Sequence, residues 1–324
     1  MNKYRNFILI LLLMSLIISG CNQNNKDSRD SVSKLIIAEQ YGLAYAPVTI
    51  MKEMGYLDDQ NNNIIVEWKK LSNTAAIRES MLAGDVDIGF MALPPFLIGS
   101  DKGMDWKIIS GLSQSPVELM TNNEEIKSIK DLKKEDKIAL PQPGSIQHIL
   151  LSMAAEKEFG EADRFDNQLL SMNHPDGMNA LLAKKEITAH FTSPPYIFME
   201  SKEDGINSIL NGRDAVGEDF TFIAGVGTRE FYENQDLYNS FKKALDKSIQ
   251  FINENPEKSA EILSNYYELD QQSIIEYLNW EGMEYSSQIK ALDKFISFMN
   301  ENDYINIENY SIDDFIWEGT EYEE

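Results

Sequence analysis

The sequence predicts an α/β protein built from two lobes of similar design. Apolar, strand-like runs alternate with helical patterns in residues 34–91, and the alternation restarts after about residue 125. A local pattern also repeats. Residues 81–96, MLAGDVDIGFMALPPF, and residues 181–196, LLAKKEITAHFTSPPY, share Leu-Ala, a strand-like run and Pro-Pro before an aromatic residue. At 324 residues the chain is long enough for two separate cores.

The first lobe is expected to have the order strand, helix, strand, helix, strand. Pro47 suits the first turn of the first helix, which should stop at Gly55. The second helix starts after the capping residues of 72–74 and ends at Gly84. This order favours a mostly parallel sheet covered by helices. The three strands are predicted at residues 34–39, 64–68 and 86–91.

The second lobe repeats that order. A strand at 137–140 leads through the turn of 141–145 into a helix. That helix carries apolar residues at 146, 149, 150, 153 and 154, which is the spacing of one helix face. A strand at 168–172, a helix around Met178 and a strand at 187–191 complete the predicted unit.

Two extended segments, 117–122 and 220–228, are placed to cross between the lobes as a two-strand hinge. The chain after about residue 229 reads as helical and is expected to pack on the first lobe. The acidic residues 301–324 suggest a solvated face or a fraying end. The predicted divisions are a signal peptide at 1–20, an anchor and tether at 21–33, lobe one at 34–118 plus 225–324, and lobe two at 119–224.

The N-terminus has the pattern of a secretory signal. Lys3 and Arg5 precede an apolar run at 7–18, which is too short for a confident membrane span. Cys21, the single cysteine, follows Ser19-Gly20, and the motif ISGC resembles a bacterial lipobox, in which the cysteine sulfur carries diacylglycerol. We therefore expect Cys21 to be a lipid anchor on the outer face of the cell membrane. The alternative is a free thiol in an ordinary signal peptide.

Charge and motif content exclude several classes of function. The formal net charge is −24, which argues against nucleic-acid partners and against adsorption to anionic lipid. The histidines, His148, His174 and His190, lack the spacing of a metal site, and no cysteine is placed to join them. The sequence contains no G-x-S-x-G, Walker or strand-following G-x-G-x-x-G motif. We therefore expect no catalysis, no metal and no cofactor.

Ligands of open α/β sheets bind beyond the carboxyl ends of the strands. In lobe one this rule selects the loops at 40–42, 72–74 and 92–94, and in lobe two those at 144–148, 173–174 and 192–194. These loops offer hydroxyls, amides and backbone N–H groups and contain no Lys or Arg. A helix starting near Ser145 would direct its positive end at a polar or anionic group.

Structural interpretations of these residues stay open. The residues of 72–74 would serve equally as helix caps, and the Pro-Pro pairs as strand terminators. Tyr41 and Tyr45 would also suit the core of lobe one.

The chain resembles the solute-binding lipoproteins of ABC importers. The resemblance covers about residues 34–265 and is strongest in the SsuA/THI5-like or NMT1-like group, which handles sulfonates, nitrate, taurine and pyrimidine precursors of thiamine. It rests on AEQYGLAYAPVTIMKEMGYLDD (38–59), LAGDVDIGFMALPP (82–95) and IKSIKDLKKEDKIALPQPGS (126–145). It implies a type 2 periplasmic-binding-protein-like fold whose lobes close on a small ligand. The family's pocket positions carry over onto Gln40, Tyr41, Asn73, Thr74, Ala92, Leu93, Ser145, His148 and Ser193.

Two departures from the family pattern leave the ligand open. Residues 182–189, LAKKEITA, stand where the family usually has Gly and Asp, and the loops lack a basic residue to fix a sulfonate. Both an anion and a planar heterocycle remain compatible with neutral, tyrosine-containing loops.

The resemblance implies a monomeric, lipid-anchored extracytoplasmic receptor that delivers a small polar, anionic or heteroaromatic nutrient to an ABC permease and its ATPase. Two alternatives belong to other classes. One is a secreted two-lobed enzyme of the pyrimidine-synthase-like branch, although that branch's cysteine-rich motif is absent. The other is a ligand sensor that works without a transporter.

Overall fold

A computed structural model describes residues 33–58 and 64–323. The predicted signal peptide, the Cys21 anchor and all but the last residue of the predicted tether lie outside the described residues. No helix in these two ranges is long and apolar enough to cross a membrane.

The described chain alternates strands and helices, as the sequence predicts. The strands are β1 (Ser33–Glu39), β2 (Ile64–Lys70), β3 (Ile88–Ala92), β4 (Trp106–Ser113), β5 (Glu118–Thr121), β6 (Ile138–Leu140), β7 (Leu169–Ser171), β8 (Ala189–Thr192), β9 (Asn207–Asn211), β10 (Ile223–Thr228), β11 (Ile289–Lys290) and β12 (Tyr322–Glu323). The α-helices are α1 (Ala46–Glu53), α2 (Thr74–Leu82), α3 (Leu93–Asp101), α4 (Ile146–Phe159), α5 (His174–Leu182), α6 (Tyr196–Glu200), α7 (Gly212–Val216), α8 (Arg229–Glu233), α9 (Gln235–Glu254), α10 (Pro256–Tyr267), α11 (Gln271–Leu278) and α12 (Leu292–Glu301).

The sheet of lobe one has the strand order β2-β1-β3-β10-β4. β1 pairs in parallel with β2 and β3, whereas β10 is antiparallel to both β3 and β4. Four strands therefore run in one direction and β10 runs against them.

The sheet of lobe two has the matching order β7-β6-β8-β5-β9. β6 pairs in parallel with β7 and β8, and β5 is antiparallel to β8 and β9. The single reversed strand is again the first one formed after the chain crosses from the other lobe. The predicted α/β fold with two mostly parallel sheets is confirmed.

The two extended segments predicted as a hinge become β5 and β10, each inside one sheet. The passages between the sheets lie beside these strands, at residues 114–117 and 212–222. The lobe boundaries at 118 and 225 stay a prediction.

The repeated sequence pattern corresponds to equivalent units, α2-β3-α3 in lobe one and α5-β8-α6 in lobe two. In both sheets the repeated strand, β3 or β8, lies beside the reversed strand. The Pro-Pro pairs differ in detail. Pro94 lies in the first turn of α3, whereas Pro194 and Pro195 precede α6 and are joined by a cis peptide bond.

Helices from the second half of the chain pack on lobe one. α9 and α10 contact α1, and α12 contacts α3. The core between these helices and the sheet contains fully buried aromatic side chains, such as Phe90 against Phe241 with ring centroids 6.4 Å apart. The predicted packing of the helical region is thus observed for these helices.

The acidic C-terminal residues do not fray in the described part of the chain, so the fraying end is wrong, whereas the described carboxylates of residues 301–323 are exposed, as expected of a solvated face. Ile108 N donates to Phe315 O at 2.8 Å, and β12 pairs in parallel with β11. Trp317 is 4% exposed and stacks on Tyr232 with ring centroids 4.0 Å apart. Burial of apolar side chains between the carboxylates fixes the segment, and the charge count alone does not reveal this.

Candidate functional site

A pocket lies between the two lobes, at the strand ends that the sequence selected. We call it the cleft, and its free volume is about 60 Å³, so the lobes stand close together. Its lining residues come from both lobes: Gln40, Tyr41, Ala44, Tyr45, Asn73, Thr74, Ala92, Pro95, Pro141, Gln142, Ser145, Ile146, Gln147, His174, Ser193, Pro194, Phe222 and Ile223.

In lobe one, the cleft wall joins the end of β1 to the start of α2. Gln40 directly follows β1, and its Nε2 donates to Thr74 Oγ1 at 3.0 Å. Asn73 caps α2, since its Oδ1 accepts from Ala76 N at 2.9 Å. Asn73 therefore serves as a cap and also lines the cleft, so the two interpretations left open by the sequence are compatible.

Tyr41 and Tyr45 take different positions on this wall. Tyr45 is buried, and its hydroxyl hydrogen-bonds Gln40. Tyr41 is 56% exposed at the rim. The ammonium of Lys70, the last residue of β2, lies 4.4 Å from the Tyr41 ring centre and 4.5 Å from that of Tyr266. Lys70 was not predicted as a site residue, because the predicted strand ended at residue 68.

Ala92 and Leu93, at the junction of β3 and α3, face different surroundings. Ala92 lines the cleft and is the N-cap residue of α3. Leu93 does not line it, because its side chain is fully buried in the hydrophobic core. The side chain at the first helical position therefore points into the core. The rule that ligands bind beyond strand ends does not predict which way a single side chain points.

In lobe two, Ser145 lines the cleft and caps α4, with Oγ accepting from His148 N at 3.3 Å. Gln147 is buried in the first turn and also lines the cleft. Ser193 follows β8 and completes this wall. Gln147 lies in the predicted loop of 144–148, whereas Gln142 is a lining residue outside the predicted loops.

His148 is not among the lining residues. Its Nδ1 accepts from Gly144 N at 3.0 Å, and its Nε2 lies 3.0 Å from Asp166 Oδ1. Its ring meets that of Tyr304 edge-on, with centroids 5.6 Å apart. His148 therefore holds the loop that carries Ser145 from behind and does not face the cleft.

His174 lines the cleft and belongs to the predicted loop of 173–174, although it was not among the pocket positions carried over from the family. It is the first residue of α5; its Nδ1 lies 3.0 Å from Thr192 Oγ1 and its Nε2 3.4 Å from Ser193 Oγ. Burial, reinforced by His190, lowers the pKa of His174 to about 3. His174 is therefore neutral at physiological pH and offers one donor and one acceptor. Its position after a capping asparagine at a strand end was the sequence signal for it.

A buried pair supports this wall from below. His190 Nδ1 lies 2.6 Å from Glu200 Oε1, and both side chains are fully buried. The His190 ring lies against that of His174, with centroids 5.6 Å apart. Burial lowers the pKa of His190 to about 3 and raises the pKa of Glu200 to about 8. Both groups are therefore neutral near pH 7.

The walls of the cleft combine apolar and uncharged polar residues. Among the residues that the structure describes, its lining contains no Asp, Glu, Lys or Arg. The starts of α2 and α4 contribute lining residues from opposite lobes, so two positive helix ends point toward it. This arrangement suits a small molecule held by hydrogen bonds and helix dipoles.

A metal site is not apparent in the described ranges, where no group of three or more His, Cys, Asp or Glu residues is placed to hold an ion. The pocket chemistry is therefore that of its amides, hydroxyls, aromatic rings and backbone N–H groups.

Comparison with known proteins places this geometry in a family. The sequence model of the NMT1-like family matches residues 39–264, well over half of the chain. The chain belongs to the NMT1-like family. This confirms the resemblance inferred from the sequence motifs.

Curated relatives of this NMT1-like protein include the D-methionine-binding lipoprotein MetQ of Salmonella typhi and that of Salmonella typhimurium. Each is 24% identical over 140 residues, which are 43% of this chain and 49% of the relative. The chain thus spans about half the length of the curated relatives it matches.

Solved structures share the fold of the NMT1-like protein. The alkanesulfonate-binding protein SsuA of Xanthomonas axonopodis pv. citri, bound to MOPS, has a TM-score of 0.74 at 15% identity, covering 88% of this chain and 98% of that chain. The aliphatic sulphonate binding protein SsuA of Escherichia coli has a TM-score of 0.70 at 20% identity, covering 90% and 94%. At these identities the likeness supports the two-lobed periplasmic-binding-protein fold.

Proposed function

We propose that this protein is the extracytoplasmic substrate-binding component of an ABC importer. The observation that carries the proposal is one cleft lined from both lobes by uncharged polar residues at strand ends, such as Gln40 on one side and Ser193 on the other. The family membership of residues 39–264 and the SsuA-like fold support it.

The proposed mechanism is closure of the lobes around the solute. A solute that touches both walls binds the closed form more tightly than the open form, and only this difference shifts the equilibrium. Two glycines permit the close approach. A Cβ on Gly42 would lie 3.0 Å from Pro194 O, and one on Gly144 would lie 3.0 Å from Ile98 Cδ1. Both contacts join lobe one to lobe two.

The proposed ligand is a small polar nutrient that is either anionic or heteroaromatic. Helix starts at Thr74 and Ile146 favour an anionic group, while Tyr41 and the ring of His174 suit a planar one. SsuA proteins are named for binding sulfonates and MetQ for binding D-methionine, so solutes of that size are suitable first probes.

We further propose that Cys21 carries a lipid anchor, that the protein acts as a monomer and that a permease and its ATPase accept the closed form. Two acyl chains or more give durable membrane attachment, whereas one gives only marginal attachment. The Cys21→Ala variant should be released as a soluble protein with unchanged solute binding. A variant that stayed in the membrane fraction would refute the anchor.

The proposal is tested by a thermal-shift screen of small sulfonates, amino acids and pyrimidines. A ligand that binds only the folded state raises the melting temperature, and the rise grows with the logarithm of the ligand concentration above Kd. Gln40→Ala and Ser193→Ala, one from each wall, should both reduce the shift given by the best compound. Gln250→Ala, an exposed position on α9, is the matched control and should keep the full shift. Turnover of the compound during the assay would contradict a binding protein.

A further inference from the structure

A second cavity lies at the hinge. We call it the hinge cavity, and its volume is about 270 Å³. It is bordered by both passages between the lobes and by the segment after α11. Its lining residues are Gln114, Ser115, Pro116, Glu118, Asn211, Arg213, Asp219, Phe220, Trp280, Glu281 and Gly282.

Backbone hydrogen bonds fix the walls of the hinge cavity. Gln114 N donates to Glu284 O at 2.8 Å, and Glu284 N donates to Gln114 O at 3.0 Å. Gly212 N donates to Val117 O at 2.8 Å, which ties the second passage to the first. These backbone N–H and C=O groups of the walls are therefore already hydrogen-bonded to each other. The groups left to bind a ligand are the side chains of the cavity.

Two buried polar side chains of the cavity lining are unsatisfied. Gln114 and Ser115 are each 6% exposed. Neither Gln114 Nε2 nor Ser115 Oγ has a hydrogen-bond partner within the described part of the chain. An unpaired buried polar group costs about 1–3 kcal/mol, so two of them in one cavity wall call for a partner, such as an ordered water, an ion or a ligand. An amide N–H requires an acceptor atom, and a hydroxyl accommodates either role.

The charge of the hinge cavity favours a cation. Its lining holds the carboxylates of Glu118, Asp219 and Glu281, and the single guanidinium, Arg213, is paired with Asp219 at 3.0 Å. Glu118 accepts from Asn211 Nδ2 at 3.2 Å and from the Ser208 side chain, and burial raises its pKa. A cation beside Glu118 would offset the burial that raises this pKa.

An aromatic ring completes the lining. Trp280 is half-buried and stacks on Phe198 of α6, with ring centroids 4.4 Å apart, so its position is fixed by packing. An indole face is the strongest side-chain partner for an organic cation.

We propose that the hinge cavity binds a small organic cation that also carries a neutral oxygen, of the hydroxylated ammonium class. The ammonium group would lie between Glu118 and Trp280, and the oxygen would accept from Gln114 Nε2 and contact Ser115 Oγ. This site is separate from the cleft, where no lining residue of the described chain is charged. It does not depend on the function proposed for the cleft.

The test is isothermal titration calorimetry of the full protein with choline as the probe. We expect saturable binding of choline and no measurable binding of glycolate, which has the hydroxyl but the opposite charge, or of glycerol, which has no charge. Saturable glycolate or glycerol binding of equal strength, or no choline binding, would overturn the proposal.

Variants locate the probe. Glu118→Gln removes the charge with the same shape, Gln114→Leu removes the amide, and each should weaken choline binding at least tenfold. Glu281→Gln, at an exposed position, is a second charge variant that does not threaten the fold and should weaken binding as well. Glu276→Gln is the matched control, because this exposed carboxylate pairs with Lys202 outside the cavity. Tyr41→Ala reports on the cleft. Glu276→Gln and Tyr41→Ala should leave choline affinity unchanged. The location would be refuted if either of these two variants lost choline binding, or if Glu118→Gln and Glu281→Gln both kept the wild-type affinity.

Discussion

His190 and Glu200 form a fully buried pair in lobe two, with Nδ1 and Oε1 2.6 Å apart. In the described chain, neither His190 Nε2 nor Glu200 Oε2 has another partner. Because burial favours the uncharged form of each group, the pair sits neutral beneath His174 and the cleft. It thereby supports a ligand-facing histidine without placing a charge below it.

This pair predicts a pH dependence of stability. Burial raises the folded-state pKa of Glu200 from 4.5 to about 8, so the stability that the neutral carboxyl contributes is fully present below pH 4.5 and is lost as the pH rises through 8. Glu200→Gln abolishes that titration. Relative to wild type, we expect the variant to gain about 4 kcal/mol of unfolding free energy between pH 5 and pH 9, because wild type loses about 1.4 kcal/mol per pH unit between the two pKa values.

Urea denaturation of both proteins at the two pH values measures this gain. The other titrating groups, including His190 and His174, are common to both proteins, so the difference isolates Glu200. A difference that does not change with pH would contradict the neutral, buried carboxyl.

Gly177 provides a packing test of the same region. A Cβ at this position would lie 2.4 Å from His190 Nε2, closer than real contacts allow. Gly177→Ala should therefore destabilise the protein by about 1–3 kcal/mol, despite the better helix propensity of alanine. Asn179→Ala, at an exposed position of the same helix, should stay within about 0.5 kcal/mol of wild type. Equal thermal stability of the two variants would show that the His190 ring shifts at little cost, which would contradict the tight packing against Gly177.

Substitutions at Asn73 distinguish its role as a helix cap from its role in contacting the ligand. Asn73→Asp keeps an oxygen acceptor for Ala76 N, so stability should change by less than about 0.5 kcal/mol. The new charge enters an uncharged cleft. It should lower the affinity for an anionic ligand at least tenfold and the affinity for a neutral heterocycle much less. Calorimetry with the best compound from the thermal-shift screen decides between the two ligand classes. Asn73→Ala, which also removes the helix cap, should lower the unfolding free energy by about 1 kcal/mol.

The folded C-terminal segment predicts a large loss on truncation of one side chain. Trp317 is buried, stacks on Tyr232 and donates from Nε1 to Gly227 O at 3.3 Å. Trp317→Ala should cost about 3–5 kcal/mol in chemical denaturation. Glu308→Ala, an exposed site in the same segment, should be nearly neutral. A small effect of Trp317→Ala would restore the expectation of a fraying end.

The sequence predicted the strand and helix order because periodicity, caps and glycine stops act locally. Asn73 and Ser145 were selected as both caps and loop residues, and both line the cleft. Leu93 and His148 were selected by the same rule but turn away from the cleft, because one residue of helical rotation, set by packing against the core or Tyr304, decides which side a side chain faces.

Other features depend on contacts far apart in the chain. The contact of Lys70 with Tyr266 forms only when the C-terminal region packs on lobe one. Phe222 enters the cleft wall from the second passage, and Trp317 meets Tyr232 from a distant part of the C-terminal region. No local pattern in the sequence encodes such pairs. The reversed strands β5 and β10 likewise follow from the way the chain crosses twice between the sheets.

Native mass spectrometry of the protein purified without denaturation tests the central claim most directly. Besides any cation held in the hinge cavity, which Glu118→Gln should remove, we expect one small molecule bound per chain, released on mild activation and strongly depleted in both Gln40→Ala and Ser193→Ala but retained in Gln250→Ala. A molecule that is retained in Glu118→Gln and also persists in both wall variants, at the occupancy of wild type, would contradict a single cleft lined from two lobes.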